Sequence, residues 1–320
     1  MSAYLLRRLT ALLPVLLGLS LLAFSLASLA PGDPAELLLR RQTGEPPSAA
    51  DVTRLRSEMG LDRPFLVRYG RWLGQAVQGD LGASYSSGAS VSRTLVTNLP
   101  ATVELAVASL LLGIVIALPL GVLAAASRGG PLDHVSRIVS LVGTSIPGFL
   151  LGYMLILFFG VTLKLFPVAG TGGLSHLVLP AMTLALAEAA AMARLTRASM
   201  LDVLGEDYVR TARAKGASRR LVYVRHALRN ALNPVVTLVG LRVGRLLGGA
   251  VIVEIVFARA GIGTVIVDAI HDRDYAMIQG FILFVGIVFV SANLLVDLAY
   301  ARLDPRVRLG SSEERAAVAR

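Results

Sequence analysis

Long apolar blocks separated by short charged stretches set the pattern of the chain. Six of them read as spans: Leu9–Ala30, Ala101–Ala126, Val135–Leu163, Leu177–Met200, Val235–Ala258 and Met277–Tyr300. Each holds about 20 residues or more, the length a helix needs to cross a bilayer. None has the period-two alternation of a barrel strand, and backbone in lipid must satisfy its own hydrogen bonds, so the blocks predict helices. No strong internal repeat is visible. The first block follows Arg7 and Arg8 and ends in Ser28-Leu29-Ala30, which looks like a signal-peptide cleavage site. Its apolar run of about 20 residues exceeds the roughly 7–15 of a signal core, so an uncleaved anchor is expected.

Residues 31–100, between the first two blocks, carry helix punctuation. Pro46-Pro47 ends a linker, and Ser48-Ala49-Ala50-Asp51 resembles an N-terminal capping pattern with an acid as its last member. One helix should run to about Met59 and stop at Gly60; a second follows Pro64 and carries Tyr69 and Trp72. This segment is either a lid on the span ends or a docking surface for an extracytoplasmic partner.

Composition agrees with a polytopic membrane protein. Of the 320 residues 55% are hydrophobic and 16% charged, against about 25% charged in soluble domains. A net charge of +10 would suggest nucleic acid on a soluble chain. Here it is topological, and no nucleic-acid partner is expected. With the N-terminus inside, the cytoplasmic segments hold 18 of the 31 Lys and Arg, and the two short outer loops hold Lys164, Arg259 and Arg273. The positive-inside rule then puts both termini in the cytoplasm. There are no cysteines, and the four histidines have no metal-ligand spacing, so no metal or cofactor is expected. The only lysines, Lys164 and Lys215, precede Leu165 and Gly216. A P-loop needs Gly-Lys-Ser/Thr, so the chain lacks an ATPase of its own.

The stretch EDYVRTARAKGASRRLVYVRHALRNALNP, 206–234, holds seven of the basic residues. Glu206 and Asp207 suit a helix N-terminus and Lys215 its C-terminus. Gly216 is a natural stop, and Ser218 can cap a second helix expected to end near Asn233-Pro234. Thr211, Ala212 and Ala214 keep the first helix slim. Basic charge lying on anionic headgroups needs no defined bend; a slim helix on a rigid bend suits contact with another protein. Glu188, Arg242, Arg245 and Glu254 fall inside spans, where ionisable groups are costly and face a cavity or a partner. Gly240, Gly244 and Gly248 share one stripe of the fifth span, with Arg242 and Arg245 about 130° round from it. Either arginine can pair with Glu188 or with an acid of another chain, or both can line a path and attract a carboxylate.

The 206–234 stretch resembles the EAA loop of binding-protein-dependent ABC importer permeases, with Arg210-Thr211-Ala212 where the family has Glu-Ala-Ala and Gly216 at its glycine. "YVRTARAKG" and "RHALRNAL" are similar to the oligopeptide, dipeptide and nickel branch. So are "PVLLGLSLLAFSLASLAPGDPA", "GLDRPFLVRYGRWL", "GGAVIVEIVF" and "NLLVDLAYARLDPRVR". The order of motifs over nearly the whole chain resembles the first permease subunit of such an importer.

The resemblance implies an all-α membrane protein of six transmembrane helices with the type I ABC importer permease fold and a small helical extracytoplasmic segment. The implied divisions are 1–30 (anchor helix), 31–100 (extracytoplasmic segment), 101–304 (five-helix permease core including the cytoplasmic coupling loop 201–234) and 305–320 (cytoplasmic tail). It implies a second homologous permease subunit, two ATP-hydrolysing subunits and an extracytoplasmic substrate-binding protein, in a bacterial cytoplasmic membrane. Asp207, Arg210, Thr211, Ala212, Arg213, Ala214, Lys215, Gly216, Ala217 and Ser218 would then couple to the ATPases, and no residue would be catalytic. Glu188, Arg242, Arg245 and Glu254 are the expected path residues. Di- or oligopeptides are the expected cargo; nickel chelates, glutathione and oligosaccharides are alternatives. A self-sufficient secondary transporter using Glu188, or a membrane scaffold, would be a rival of a different class.

Overall fold

The computed structural model describes residues 2–29 and 31–303, all helix and loop but for one isolated bridge, Ala83 to Ser90. The expected tail, 305–320, lies outside the described residues. The chain divides into two compact units.

The first unit comprises residues up to Pro100 together with Gly261–Leu295. Helix α1 (Ser2–Leu29) provides a spanning stretch, Thr10–Leu29. Helices α2 (Pro34–Thr43), α3 (Ala49–Glu58) and α4 (Phe65–Val77) follow. Asp33 caps α2 by accepting from the Ala35 N–H at 2.9 Å. Ser48 caps α3, accepting from the Asp51 N–H at 3.2 Å and donating to its carboxylate at 2.6 Å. Gly60, at φ +67°, turns the chain out of α3, and α4 starts after Pro64. Helix α4 packs along α1: the Phe24 ring meets Phe65, Tyr69 and Trp72 at centroid distances of 5.3, 5.6 and 5.7 Å, and Tyr69 shares a hydrogen bond with Ser20. Helix α12 (Ile262–His271), like α2, has no counterpart among the expected elements. Asp274 heads α13 (Tyr275–Leu303), accepting from the Met277 N–H and from Ser84, Tyr85 and Ser86 of the 79–90 loop. Leu81, Val91, Leu95, Ala269, Met277 and Leu283 form the core under that clamp.

The second unit comprises Ala101–Ala260 and the end of α13 from Val296. Helix α5 (Val91–Ala126) starts ten residues before the expected span and continues to its expected end. The expected third span is broken. Helix α6 (Pro131–Ser145) and α7 (Gly148–Leu155), which runs on as a π-helix over Ile156–Thr162, meet at 106° across Ile146 and Pro147. Pro147 holds extended backbone before itself, and each arm of about 15 residues reaches only ~22 Å, short of a bilayer's ~30 Å. Helix α8 (Leu174–Leu204) is the most buried element, touching α6, α7 and α11 (Leu228–Val256). Small residues permit this: a Cβ at Gly121 would lie 2.8 Å from the Ala193 carbonyl, so α5 and α8 meet there nearly backbone to backbone.

Among the described residues, four helices are long and apolar enough to cross a membrane, and six if each bent pair counts as one span. Leu13, Leu22 and Leu26 on α1, and Val135, Ile138 and Leu141 on α6, are exposed. Apolar faces of this extent suit lipid, not water.

Candidate functional site

The 206–234 stretch folds as a short helix, a glycine turn and a second helix that does not stop where expected. Glu206 takes the extended N-cap conformation, and α9 runs over Asp207–Ala214. Asp207 pairs with Arg210 at 3.1 Å in an exposed position, a contact of little energetic weight. The helix closes with a Schellman turn: Gly216 N–H donates to the Arg213 carbonyl, Ala217 N–H to that of Ala212, and Gly216 sits at φ +81°. Ser218 accepts from the Leu221 N–H and opens α10 (Arg219–Leu221). The chain then winds through a π-helical segment, Val222–Ala227, into α11 without a break, so the second helix passes Asn233 and Pro234 and becomes the fifth span. Asn230, whose carbonyl loses its donor to Pro234, is itself exposed, so water can take the donor's place and the proline is tolerated.

Three contacts fix this element on the bundle. Val209 is wholly buried. Tyr208 accepts from the Asn230 amide at 2.6 Å and donates to the His226 carbonyl. Arg219 donates to the Ala126 carbonyl at the end of α5 and lies over the Tyr223 ring. The rest points outward: Asp207, Arg210, Thr211, Arg213, Ala214, Lys215, Gly216 and Ser218 are exposed, and Ala212 and Ala217 half-buried.

The span charges do not form one cluster. Arg242 of α11 donates to Glu188 of α8 at 2.6 Å, with 18% and 13% of the two side chains exposed. Arg245 is exposed and makes no ion pair among the described residues. Glu254 is wholly buried and accepts from Thr102 of α5 at 2.5 Å. The helix bends by 40° between Arg219–Arg242 and Gly244–Val256. Of the glycine stripe, Gly240 is buried, while Gly248 is exposed with nothing near its Cβ position. Gly249 makes the close approach, its Cβ position lying 3.1 Å from Leu184.

Two further pairs escape sequence reasoning because their members lie far apart in the chain. Asp133, at the start of α6, is buried and takes a two-pronged contact from Arg197 of α8 at 2.5 and 2.8 Å. Arg259, 2% exposed, donates to Glu104 of α5, 52% exposed.

Comparison with known proteins accounts for this arrangement. The family described as "Binding-protein-dependent transport system inner membrane component" matches residues 117–309, and its N-terminal companion matches residues 1–106. The glutathione transport system permease protein GsiC is 41% identical over 308 residues in an Escherichia coli strain and in Pectobacterium atrosepticum, covering 96% of this chain and 99% of each relative. A probable peptide ABC transporter permease, y4tP of Sinorhizobium fredii, is 40% identical over 316 residues, covering 96% of this chain and all of that one. Among solved structures, an inward-facing MetNI methionine ABC transporter is similar at a TM-score of 0.54 and 24% identity, covering 66% of this chain and 94% of that one. That likeness concerns the fold alone. The chain therefore belongs to the ABC importer permeases of the oligopeptide, dipeptide and glutathione family, non-catalytic multi-pass proteins of the bacterial inner membrane that move small peptide-like solutes through ATPase-coupled machinery.

Proposed function

We propose that this chain is one half of a permease pair that imports glutathione or a short peptide of similar size, and that α9 is where ATP hydrolysis on other chains reaches it. The carrying observation is α9: a slim helix anchored by Val209 and Tyr208, with Arg210, Arg213, Ala214 and Lys215 turned outward on a locked glycine turn. Residues 207–218 seat in a cleft of an ATP-hydrolysing subunit, one of two. Because α10, the π-helical segment and α11 are continuous, displacement of the turn is delivered to the fifth span. A homologous second permease completes the pathway, and a substrate-binding protein delivers cargo on the side of residues 31–100. The α9 end faces the cytoplasm, with both chain termini.

Within the path, Arg245 meets the cargo and the Arg242–Glu188 pair sets the spacing of α8 and α11. Glu254 and Thr102 hold α5 against α11. Arg245 is a span cation with no acid paired to it among the described residues, which suits a carboxylate-bearing peptide. Glutathione is favoured over longer peptides because GsiC proteins resemble this chain over nearly their whole length. With Glu188 neutralised by Arg242, a proton-coupled secondary transporter lacks its free acid. The test is uptake of labelled glutathione by cells carrying the complete transporter, with unlabelled dipeptides as competitors. ATP-dependent glutathione uptake that dipeptides do not displace supports the reading; uptake of dipeptides alone overturns the preference for glutathione, and uptake of neither overturns the substrate assignment.

A further inference from the structure

In the first unit, a cavity of about 220 Å³ lies between the last turns of α1, the α3–α4 turn, α4 and the start of α13, with Arg63, Arg68, Arg71, Trp72, Tyr85 and Gln279 on its wall. We propose that it binds the phosphodiester headgroup of a membrane phospholipid.

Charge is the first argument. A Cβ at Gly60 would lie 3.5 Å from Arg71 Nη1 and 3.7 Å from Arg63 Nε, so the two guanidiniums converge on one spot. Arg68 lies nearby, over the Phe24 ring. None of the three makes an ion pair among the described residues, and the local acids are engaged: Asp33 and Asp62 hold Arg56, and Asp274 holds Ser84 and Ser86. Converging guanidiniums repel until an anion bridges them, and the planar guanidinium fork matches phosphate oxygens.

Gln279 is 8% exposed, lines the cavity, and its amide nitrogen has no hydrogen-bond partner. A buried donor left unmatched is destabilising and rare in folded proteins. An anionic oxygen in the cavity satisfies it.

Membrane level selects the source of the anion. Ala27 and Ser28 end one spanning helix, and Tyr275 and Ala276 begin another, so the cavity lies at the membrane–water boundary. Trp72, Tyr85 and Tyr275 are of the type that gathers at that level. Leu22, Leu26 and Leu29 are exposed on the face of α1 opposite Phe24 and Ser28, an apolar face that suits lipid around this end of the helix. Helix α4 exposes Leu66, Val67 and Val77, as an interfacial helix does. The volume is below the roughly 300–1,000 Å³ of drug-sized ligand pockets, so it suits a headgroup and not a peptide cargo. The inference requires a membrane but neither leaflet in particular, so it does not depend on the proposed orientation or substrate.

The test uses the intact transporter purified with this chain in detergent, with native mass spectrometry counting retained phospholipid. Thermal unfolding is followed with added phosphatidylglycerol or with inorganic phosphate alone. Wild type should retain one more phospholipid than Arg63→Gln/Arg71→Gln, whose retention falls by about fivefold or more, and only wild type should gain a higher unfolding midpoint from the lipid. Gln279→Leu should also weaken retention without lowering the lipid-free midpoint, and it decides the matter if the double variant fails to fold. Equal lipid retention by folded variants overturns the proposal. Stabilisation by inorganic phosphate with no retained lipid overturns the lipid assignment and leaves a free-anion site.

Discussion

Arg242 of α11 donates to Glu188 of α8 at 2.6 Å, and this ion pair joins two helices in the middle of the second unit. The two charges are not equivalent. Losing Glu188 strands a guanidinium with five donors to satisfy, whereas losing Arg242 strands a carboxylate with only two oxygens. Glu188→Gln should therefore cost about 1–3 kcal/mol and Arg242→Gln clearly less, with the double variant below the sum of the two. Thermal unfolding of the purified transporter measures all three. Losses that simply add in the double variant would show that the pair does not hold the helices.

Arg245, one turn further on, is exposed and makes no ion pair among the described residues. Its removal should alter handling of cargo and leave folding unchanged. Arg245→Gln is expected to raise the KM for a carboxylate-bearing peptide by about 10–150-fold, the loss of one charged hydrogen bond, with an unchanged unfolding midpoint. Unaltered uptake kinetics would remove Arg245 from the path.

Gly216 makes its demand through the backbone: φ is +81° and nothing lies within 4 Å of an added Cβ. Space is available, so conformation decides. Asparagine visits the left-handed region and should be tolerated. A β-branched residue there should cost about 1–2 kcal/mol or reshape the turn. Gly216→Val should uncouple ATP hydrolysis from uptake while Gly216→Asn preserves it, measured as solute moved per ATP hydrolysed in proteoliposomes.

Asp274 responds to acid. Burial pushes its carboxyl upward, but hydrogen bonds from Ser84, Met277, Tyr85 and Ser86 outweigh this and hold it below the usual carboxylate range. A depressed folded value means the contribution to stability is fully present above the unfolded value of about 3.9. It is lost as pH falls below that and through the folded value. Limited proteolysis within residues 79–90 should thus rise sharply only below about pH 4. Asp274→Asn should open the loop already at pH 7 and flatten the acid response.

How far these features could be read in advance depended on whether their cause was local. Ser48, Gly60, Pro64 and Gly216 mark helix ends by backbone and capping chemistry of a few neighbours, and the structure has ends there. The break at Ile146-Pro147 has a local cause in Pro147, but the surrounding apolar run has the composition of a straight span, and the 106° angle between the two arms is set by packing against α8 and α11. Proline at 234 suggested a stop, yet exposure of the open carbonyl lets α11 continue. The Asp133–Arg197 and Glu104–Arg259 pairs join residues 64 and 155 positions apart, beyond any spacing rule. The Glu188–Arg242 pair was one of two open choices, which only the helix arrangement could separate.

The proposed contact of α9 with an ATPase is open to direct test by cross-linking. Because the chain has no cysteine, Ala214→Cys introduces its only thiol, on an exposed face of α9. Thiol-directed cross-linking in native membranes should join this position to an ATP-hydrolysing subunit, and ATP should change the yield. Leu66→Cys, on α4, should give no such product. Absence of a cross-link from position 214 in a transporter that still imports its solute would contradict the account.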